Sequence, residues 1–312
     1  MIKKIKIIVF LFLLTIQLYP QYNRIQYKFE NIDGVNIFYR ESGSPDKPTI
    51  VFLHGTPSSS FMYQQLIYNL SADFHCIAPD YPGYGYSDSP PLSKYEYTFE
   101  NITITLDKFI KQLGLTKYSF YMQDYGAPFG FRLALLHPQN ITALITQNGN
   151  AYIEGFPLAQ DPKGDLNKFW LNEDSVEKQD FYDYYRNVKE PSSDNWKLSP
   201  NDSPDRLLMA IHYMKNEERA HKQFNLWHDY GKNVRMYPLW QKYLREFQPN
   251  VLVVWGKEDK FFTTPGSLAY LKDVPKAEVH LLNAGHWASV QEPELIAQII
   301  KSFFITNHLI TE

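Results

Sequence analysis

Apolar positions along the chain recur with two periods, and the two alternate. Residues 35–43 (VNIFYRESG) alternate apolar and polar side chains as a half-buried strand does. Shorter, nearly continuous apolar runs, at 49–55 (TIVFLHG), 74–80 (FHCIAPD), 118–124 (YSFYMQD), 141–149 (ITALITQNG), 250–259 (NVLVVWGKED) and 277–286 (AEVHLLNAGH), end in Gly, Asp or Asn, as buried strands do. Between them lie stretches of helical spacing: 58–71 behind a run of serines, 97–115 stopping near Gly114, 127–138, and 292–304 near the end. Strands alternating with helices predict a mostly parallel sheet covered on both faces. Ligands of such sheets bind at the carboxyl ends of the strands, and His54, Gly55, Asp124 and Asp259 all stand just after apolar runs.

Two segments break the alternation. Residues 151–236 are polar and aromatic, rich in Asp, Lys, Asn and Tyr, and carry no strand signal. They are expected to be a helical cap inserted over the strand ends, between core segments 22–150 and 237–312. Residues 1–21 hold Lys3, Lys4 and Lys6 followed by an apolar run from Ile7 to about Ile16. That layout predicts a secretory signal and an exported protein. The run falls short of the ~20 residues that span a bilayer. No small residues mark a cleavage point, so the alternative is an N-terminal anchor, with weak membrane association if it stays uncleaved.

Composition narrows the partners. With 31 basic and 34 acidic residues in 312, and no basic block, neither nucleic acid nor an anionic membrane is an expected partner. Cys76 is the only cysteine, in an apolar run, and reads as a small buried hydrophobe. No paired cysteines, H-E-x-x-H or phosphate-cradling glycine loop occurs, so neither metal nor cofactor is expected. Four N-x-S/T triplets begin at Asn69, Asn101, Asn140 and Asn201.

The chemistry gathers at "MQDYG". Asp124 follows a strand and precedes a helix, the place of a nucleophile on a tight elbow, although Met122 is large where such a turn wants a small residue. Alone, Asp124 could equally be the cap of the following helix. Asp259 and His286 supply the order nucleophile, acid, histidine. Glu258, beside Asp259, reads as a solvated surface residue. A carboxylate with a pKa near 4 is already ionised at neutral pH and attacks saturated carbon without a base. On an ester or amide it would only make an anhydride. Asp124 therefore argues against esterase, lipase and peptidase activity, and for alkyl transfer followed by hydrolysis.

The segments "HGTPSSSFMYQQLI", "IAPDYPGYGYSD", "YTFE", "MQDYG" and "AGHWASVQEPE" resemble the haloalkane dehalogenase and epoxide hydrolase group of α/β-hydrolases, over roughly 25–150 and 237–305. The resemblance implies the α/β-hydrolase fold with a helical cap and a small apolar substrate hydrolysed by water. It implies Asp124 as nucleophile, His286 as base, Asp259 as its acid partner, and the backbone N–H groups of Thr56 and Tyr125 as oxyanion hole. Some relatives carry the acid where this chain has Asn148, so the charge falls to Asp259. The group's dehalogenases commonly have Trp after the nucleophile and Asn after "HG"; here Tyr125 and Thr56 replace these halide donors. Trp170 is then a candidate second donor, or a plain hydrophobic anchor, and His54 a residue lining the leaving-group site. Tyr230 stands where an epoxide hydrolase places one of its two acid tyrosines, with its partner unassigned. Overall likeness leans to a haloalkane dehalogenase-like enzyme, with epoxide hydrolysis next. A ligand-binding member of the fold with little or no turnover is the reading from another class.

Overall fold

The computed structural model describes residues 24–156, 212 and 215–310. Eight strands form one sheet: β1 (Gln26–Ile32), β2 (Val35–Ser42), β3 (Thr49–Leu53), β4 (His75–Pro79), β5 (Tyr118–Gln123), β6 (Ile141–Gln147), β7 (Asn250–Gly256) and β8 (Glu278–Leu282). Their order across the sheet is β1-β2-β4-β3-β5-β6-β7-β8. β1 and β2, and β2 and β4, pair antiparallel; the rest pair in parallel. From β3 the chain goes to β4 on one side and to β5 on the other. The order reverses there, so a crevice opens between the carboxyl ends of β3 and β5. His54–Thr56 leave one strand at that crevice, and Asp124 leaves the other.

Helices cover both faces. α1 (Gln64–Leu70), preceded by a short 3-10 turn, and the C-terminal helix Pro293–Thr306 bury Leu66, Ile67, Leu70, Ile296, Ile300, Phe303 and Phe304 with Ile50 and Phe52 of β3. α2 (Phe99–Gln112) and α3 (Gly126–Leu136) pack Ile102, Leu106, Phe109, Phe129 and Leu133 against Val51 and Leu53. Successive residues of β3 thus feed opposite cores, as the two-residue period of a strand requires.

Two elements were hidden from periodicity. β1 pairs with β2 through a two-residue turn, Asp33–Gly34, both with positive φ, at 51° and 87°. That is the Asp-Gly hairpin signature. The strand itself is largely exposed, with Tyr27 and Phe29 more than half open to solvent, so its pattern is weak. The second is α4, Glu217–Phe247. Asn216 caps it by accepting from the Arg219 N–H, and Glu217 and Glu218 complement its positive end. It runs unbroken through the expected boundary at 236/237, so that boundary falls inside one helix. Its buried side chains include Phe224 near the start, and Tyr230, Tyr237, Trp240 and Leu244, which share one face further along. Asp229 accepts from the Phe99 N–H at 2.8 Å and ties α4 to the start of α2. A short helix α5 (Thr264–Ala269) follows β7, and α6 (Ala288–Gln291) precedes the C-terminal helix, α7. No described helix is long and apolar enough to cross a membrane. Residues 1–21 and most of the insert, Trp170 included, lie outside the described residues.

The bulky Met122 at the elbow has a structural partner. A Cβ at Gly130 would lie 2.1 Å from Met122 Sδ, so a glycine one helical turn into α3 makes the room that a small residue at 122 would otherwise provide. Gly130→Ala is expected to cost about 1–3 kcal/mol of stability through this clash. In a Met122→Ala background the same change should be neutral or stabilising by up to about 1 kcal/mol, since Ala is the better helix former. Thermal denaturation of the four proteins of this cycle measures the coupling; additive effects would show that the two side chains do not compete for one space.

Candidate active site

The elbow is built by close approach. Asp124 has φ 52°, a left-handed conformation that costs a non-glycine residue of order 1–3 kcal/mol. Its neighbours leave no space for side chains. A Cβ at Gly126 would lie 2.0 Å from the Leu53 carbonyl oxygen, and one at Gly55 would lie 2.4 Å from Asp124 Cβ. Asp124 N–H donates to Asn148 O at 3.2 Å, and Ala127 N–H to Asp124 O at 3.1 Å. No side chain caps α3, so the capping role open to Asp124 on sequence is not the one it takes.

The carboxylate faces the crevice. Thr56 N–H donates to Asp124 Oδ1 at 2.7 Å, and the Tyr125 N–H also bonds the carboxylate. Both expected oxyanion donors therefore converge on the expected nucleophile. Oδ2 stands 3.7 Å from His286 Nε2. Burial raises the pKa of Asp124 above the ordinary carboxylate value, while His286 and the two N–H groups pull it back.

His286 Nδ1 bonds Asp259 Oδ2 at 2.7 Å. Asp259 is buried, whereas Glu258 beside it is exposed. Its Oδ1 accepts from the backbone N–H groups of Phe261 and Phe262, at 2.7 and 3.1 Å, and Oδ2 also accepts from Asn148 Nδ2 at 2.8 Å. Asn148 does not carry the acid; it braces the residue that does, and its Oδ1 accepts from the Gly256 N–H at 2.9 Å. The His286 ring meets the rings of Phe261, Phe262 and Trp287 at 5.4–5.5 Å between centroids.

His54 is placed elsewhere than expected. Its ring is fully buried, stacked on Tyr81 at 3.9 Å, with Nδ1 2.9 Å from Gly55 O. Burial lowers its pKa to about 4, so it is a neutral wedge beneath the turn and offers no open face to a leaving group. Tyr230 does come to the site: its ring lies 5.5 Å from Tyr125 and 5.6 Å from Phe99, and its buried phenol is near enough to that of Tyr237 for each to shift the other's ionisation. Burial, with Asp124 nearby, raises the pKa of both phenols.

Three contributors escaped the sequence reading. Tyr237 is buried beside Tyr230 on the same helix, and its spacing of seven residues was the available signal. Gln223 of α4 accepts from Thr56 Oγ1 at 2.8 Å and from the Tyr84 hydroxyl at 2.6 Å, linking the long helix to the oxyanion turn. Gln123 reaches His286 directly, with Nε2 3.0 Å from His286 Nε2. Among the described residues no group of three or more His, Cys, Asp or Glu side chains is arranged to hold a metal ion.

A carboxylate whose pKa is raised on folding destabilises the fold as pH climbs through its unfolded and then its folded pKa, because the native state holds the proton more tightly. Asp124→Asn should accordingly gain stability relative to the parent at pH 7, and the gain should shrink as pH falls through the raised folded pKa and be gone below the unfolded value near 4. Melting temperatures of both proteins across pH 3.5–8 test this; a gain that grows on acidification would reverse the assigned direction.

The chain matches the model of the alpha/beta hydrolase fold family over residues 48–293. It is 36% identical over 286 residues to an uncharacterized hydrolase of Saccharomyces cerevisiae, covering 90% of this chain and 97% of that one. A haloalkane dehalogenase of Bradyrhizobium diazoefficiens is 36% identical over 128 residues, 41% of this chain and 39% of the relative. Epoxide hydrolase 2 of Caenorhabditis elegans is 23% identical over 287 residues, 89% of this chain and 79% of the relative. Fold, family model and relatives agree: the chain is a hydrolase of the α/β-hydrolase family, in the group of the haloalkane dehalogenases and epoxide hydrolases.

Proposed function

We propose that this protein is an Asp-nucleophile hydrolase that opens small apolar epoxides through a covalent alkyl ester on Asp124. The observation that carries this reading is the placement of the carboxylate: Oδ1 is held by Thr56 N–H at 2.7 Å, and Oδ2 stands 3.7 Å from a histidine bonded to Asp259 at 2.7 Å. Asp124 attacks a ring carbon, the carbon–oxygen bond breaks, and the oxygen takes a proton from the Tyr230 or Tyr237 phenol as the alcohol. His286 then removes a proton from water, which attacks the ester carbonyl. The oxyanion so formed rests on the N–H groups of Thr56 and Tyr125, each worth about 3–4 kcal/mol to the barrier. Asp259 stabilises the imidazolium, which returns its proton to the alkoxy oxygen as the intermediate collapses and the bond between that oxygen and the Asp124 carbonyl carbon breaks. The diol leaves, and the proton left on the Asp124 carboxyl restores the acid that opened the ring.

The choice of leaving group rests on α4. Tyr230 and Tyr237 bring two phenols together near Asp124, and burial keeps them protonated, as hydrogen-bond donors to an opening epoxide oxygen must be. The dehalogenase reading that overall sequence likeness suggested needs an indole donor. Trp170 lies outside the described residues; Trp255 donates its N–H to Phe262 O, Trp240 is stacked on Phe131 in the core, and Trp287, with its ring 5.4 Å from that of His286, is the indole nearest the site among the described residues. Haloalkane turnover remains the second reading, motivated by the dehalogenase relative. A ligand-binding protein of this fold would have no use for a histidine poised between two carboxylates.

The His286→Gln variant should accumulate the ester, since attack by a carboxylate needs no base and attack by water does. Intact mass separates the readings: an epoxide adds its whole mass to Asp124, whereas a haloalkane adds its mass less that of the hydrogen halide. No adduct from a broad panel of either class would remove the Asp124 mechanism. Tyr230→Phe should lower diol formation about 100-fold or more, the usual contribution of a positioned general acid. Unchanged diol release would take Tyr230 out of the reaction.

A further inference from the structure

Gln123 ends β5, is fully buried, and directly precedes Asp124. Its Nε2 makes two contacts with one residue: 3.0 Å to His286 Nε2 and 3.1 Å to His286 O. The carbonyl contact decides the orientation of the amide. Turning it over would face an oxygen towards the His286 carbonyl oxygen, and Gln147 Nε2 already donates to that carbonyl at 3.0 Å. The amide cannot swing far, because its Oε1, which has no hydrogen-bond partner, is packed so close to Gly55 that a Cβ there would lie 2.2 Å from it. An N–H therefore points at His286 Nε2, and that nitrogen can only be an acceptor. With Asp259 on the other ring nitrogen, the ring is the neutral tautomer that carries its proton on Nδ1.

The two carboxylates at the ring pull the other way. The titratable groups facing the ring among the described residues are Asp259, from the loop after β7, and Asp124, from the elbow, and both favour an imidazolium. An imidazolium beside Asp124 would pair with the nucleophile and could accept no proton from water. We propose that Gln123 is the positioning residue that keeps His286 neutral in the free protein: its amide N–H occupies the Nε2 lone pair, opposes protonation there, and yields that lone pair to the water that hydrolyses the ester. The proposal rests on His286 acting as base, as in the reaction above. Its signature lies in the ionisation of the free protein and needs no substrate.

The test is the 15N NMR titration of the full-length protein labelled at histidine, with the His286 signals identified by their loss in His286→Gln. The parent is expected to show Nδ1 protonated and Nε2 bare at pH 7. In Gln123→Met, which keeps much of the volume and has no donor, the His286 midpoint should rise by about one pH unit, the shift that one ordinary hydrogen bond to the neutral form supports. A merely structural role would lower the melting temperature and leave the midpoint where it was, and that outcome overturns the proposal. If Gln123→Met does not fold, the parent spectrum decides: a bare, hydrogen-bonded Nε2 supports the assignment, and a protonated Nε2 at pH 7 overturns it. The adduct mass on His286→Gln is a separate readout, so failure of the hydrolase reading and failure of the role of Gln123 are told apart.

Discussion

Asp124 can present its carboxylate to the Thr56 N–H, at 2.7 Å, only because two glycines let the backbones of β3 and β5 approach at the crevice. Gly55 and Gly126 have no room for a Cβ, and the φ of Asp124 is one that side chains resist. The surrounding sheet supplies the energy that holds this turn. β3 and β5 are flanked by strands on both sides, and their apolar side chains are buried on both faces. A strained residue persists where its neighbours over-determine it. The same approach brings the Thr56 and Tyr125 N–H groups onto the Asp124 carboxylate and leaves Oδ2 towards His286.

Around that point the polar groups form a nearly closed shell. Asp259 accepts four hydrogen bonds, from His286, Asn148, Phe261 and Phe262. Gln123 and Gln147 both hold the His286 carbonyl. These amides come from the ends of β5 and β6, directly beside the catalytic set. Buried ionisable groups are tolerable only when their hydrogen-bonding capacity is filled, and neutral amides fill it here without adding charge.

α4 gives the site its roof and its hydroxyls. Through Asp229 it is bonded to the start of α2, and through Gln223 to Thr56 and Tyr84. One continuous helix thus touches the oxyanion turn and carries Tyr230 and Tyr237. Any change in its seating would act on the turn at Thr56 and on these two tyrosines together.

The sheet elements, the elbow, and the order of Asp124, Asp259 and His286 were legible in the chain, because buried strands and sharp turns leave local marks in apolar runs and in glycine, aspartate and asparagine. β1 left only the mark of Asp33–Gly34, since an exposed edge strand has no need of an apolar face. The tertiary structure alone decided that His54 is a buried wedge, that Gly130 makes room for Met122, that Tyr237 is buried beside Tyr230, and that Gln123 contacts His286. Each of these joins residues through close packing or across distant segments, or turns on which way a buried side chain faces. A linear pattern records burial and local turns; which polar atom meets which is settled only when the strands and helices pack.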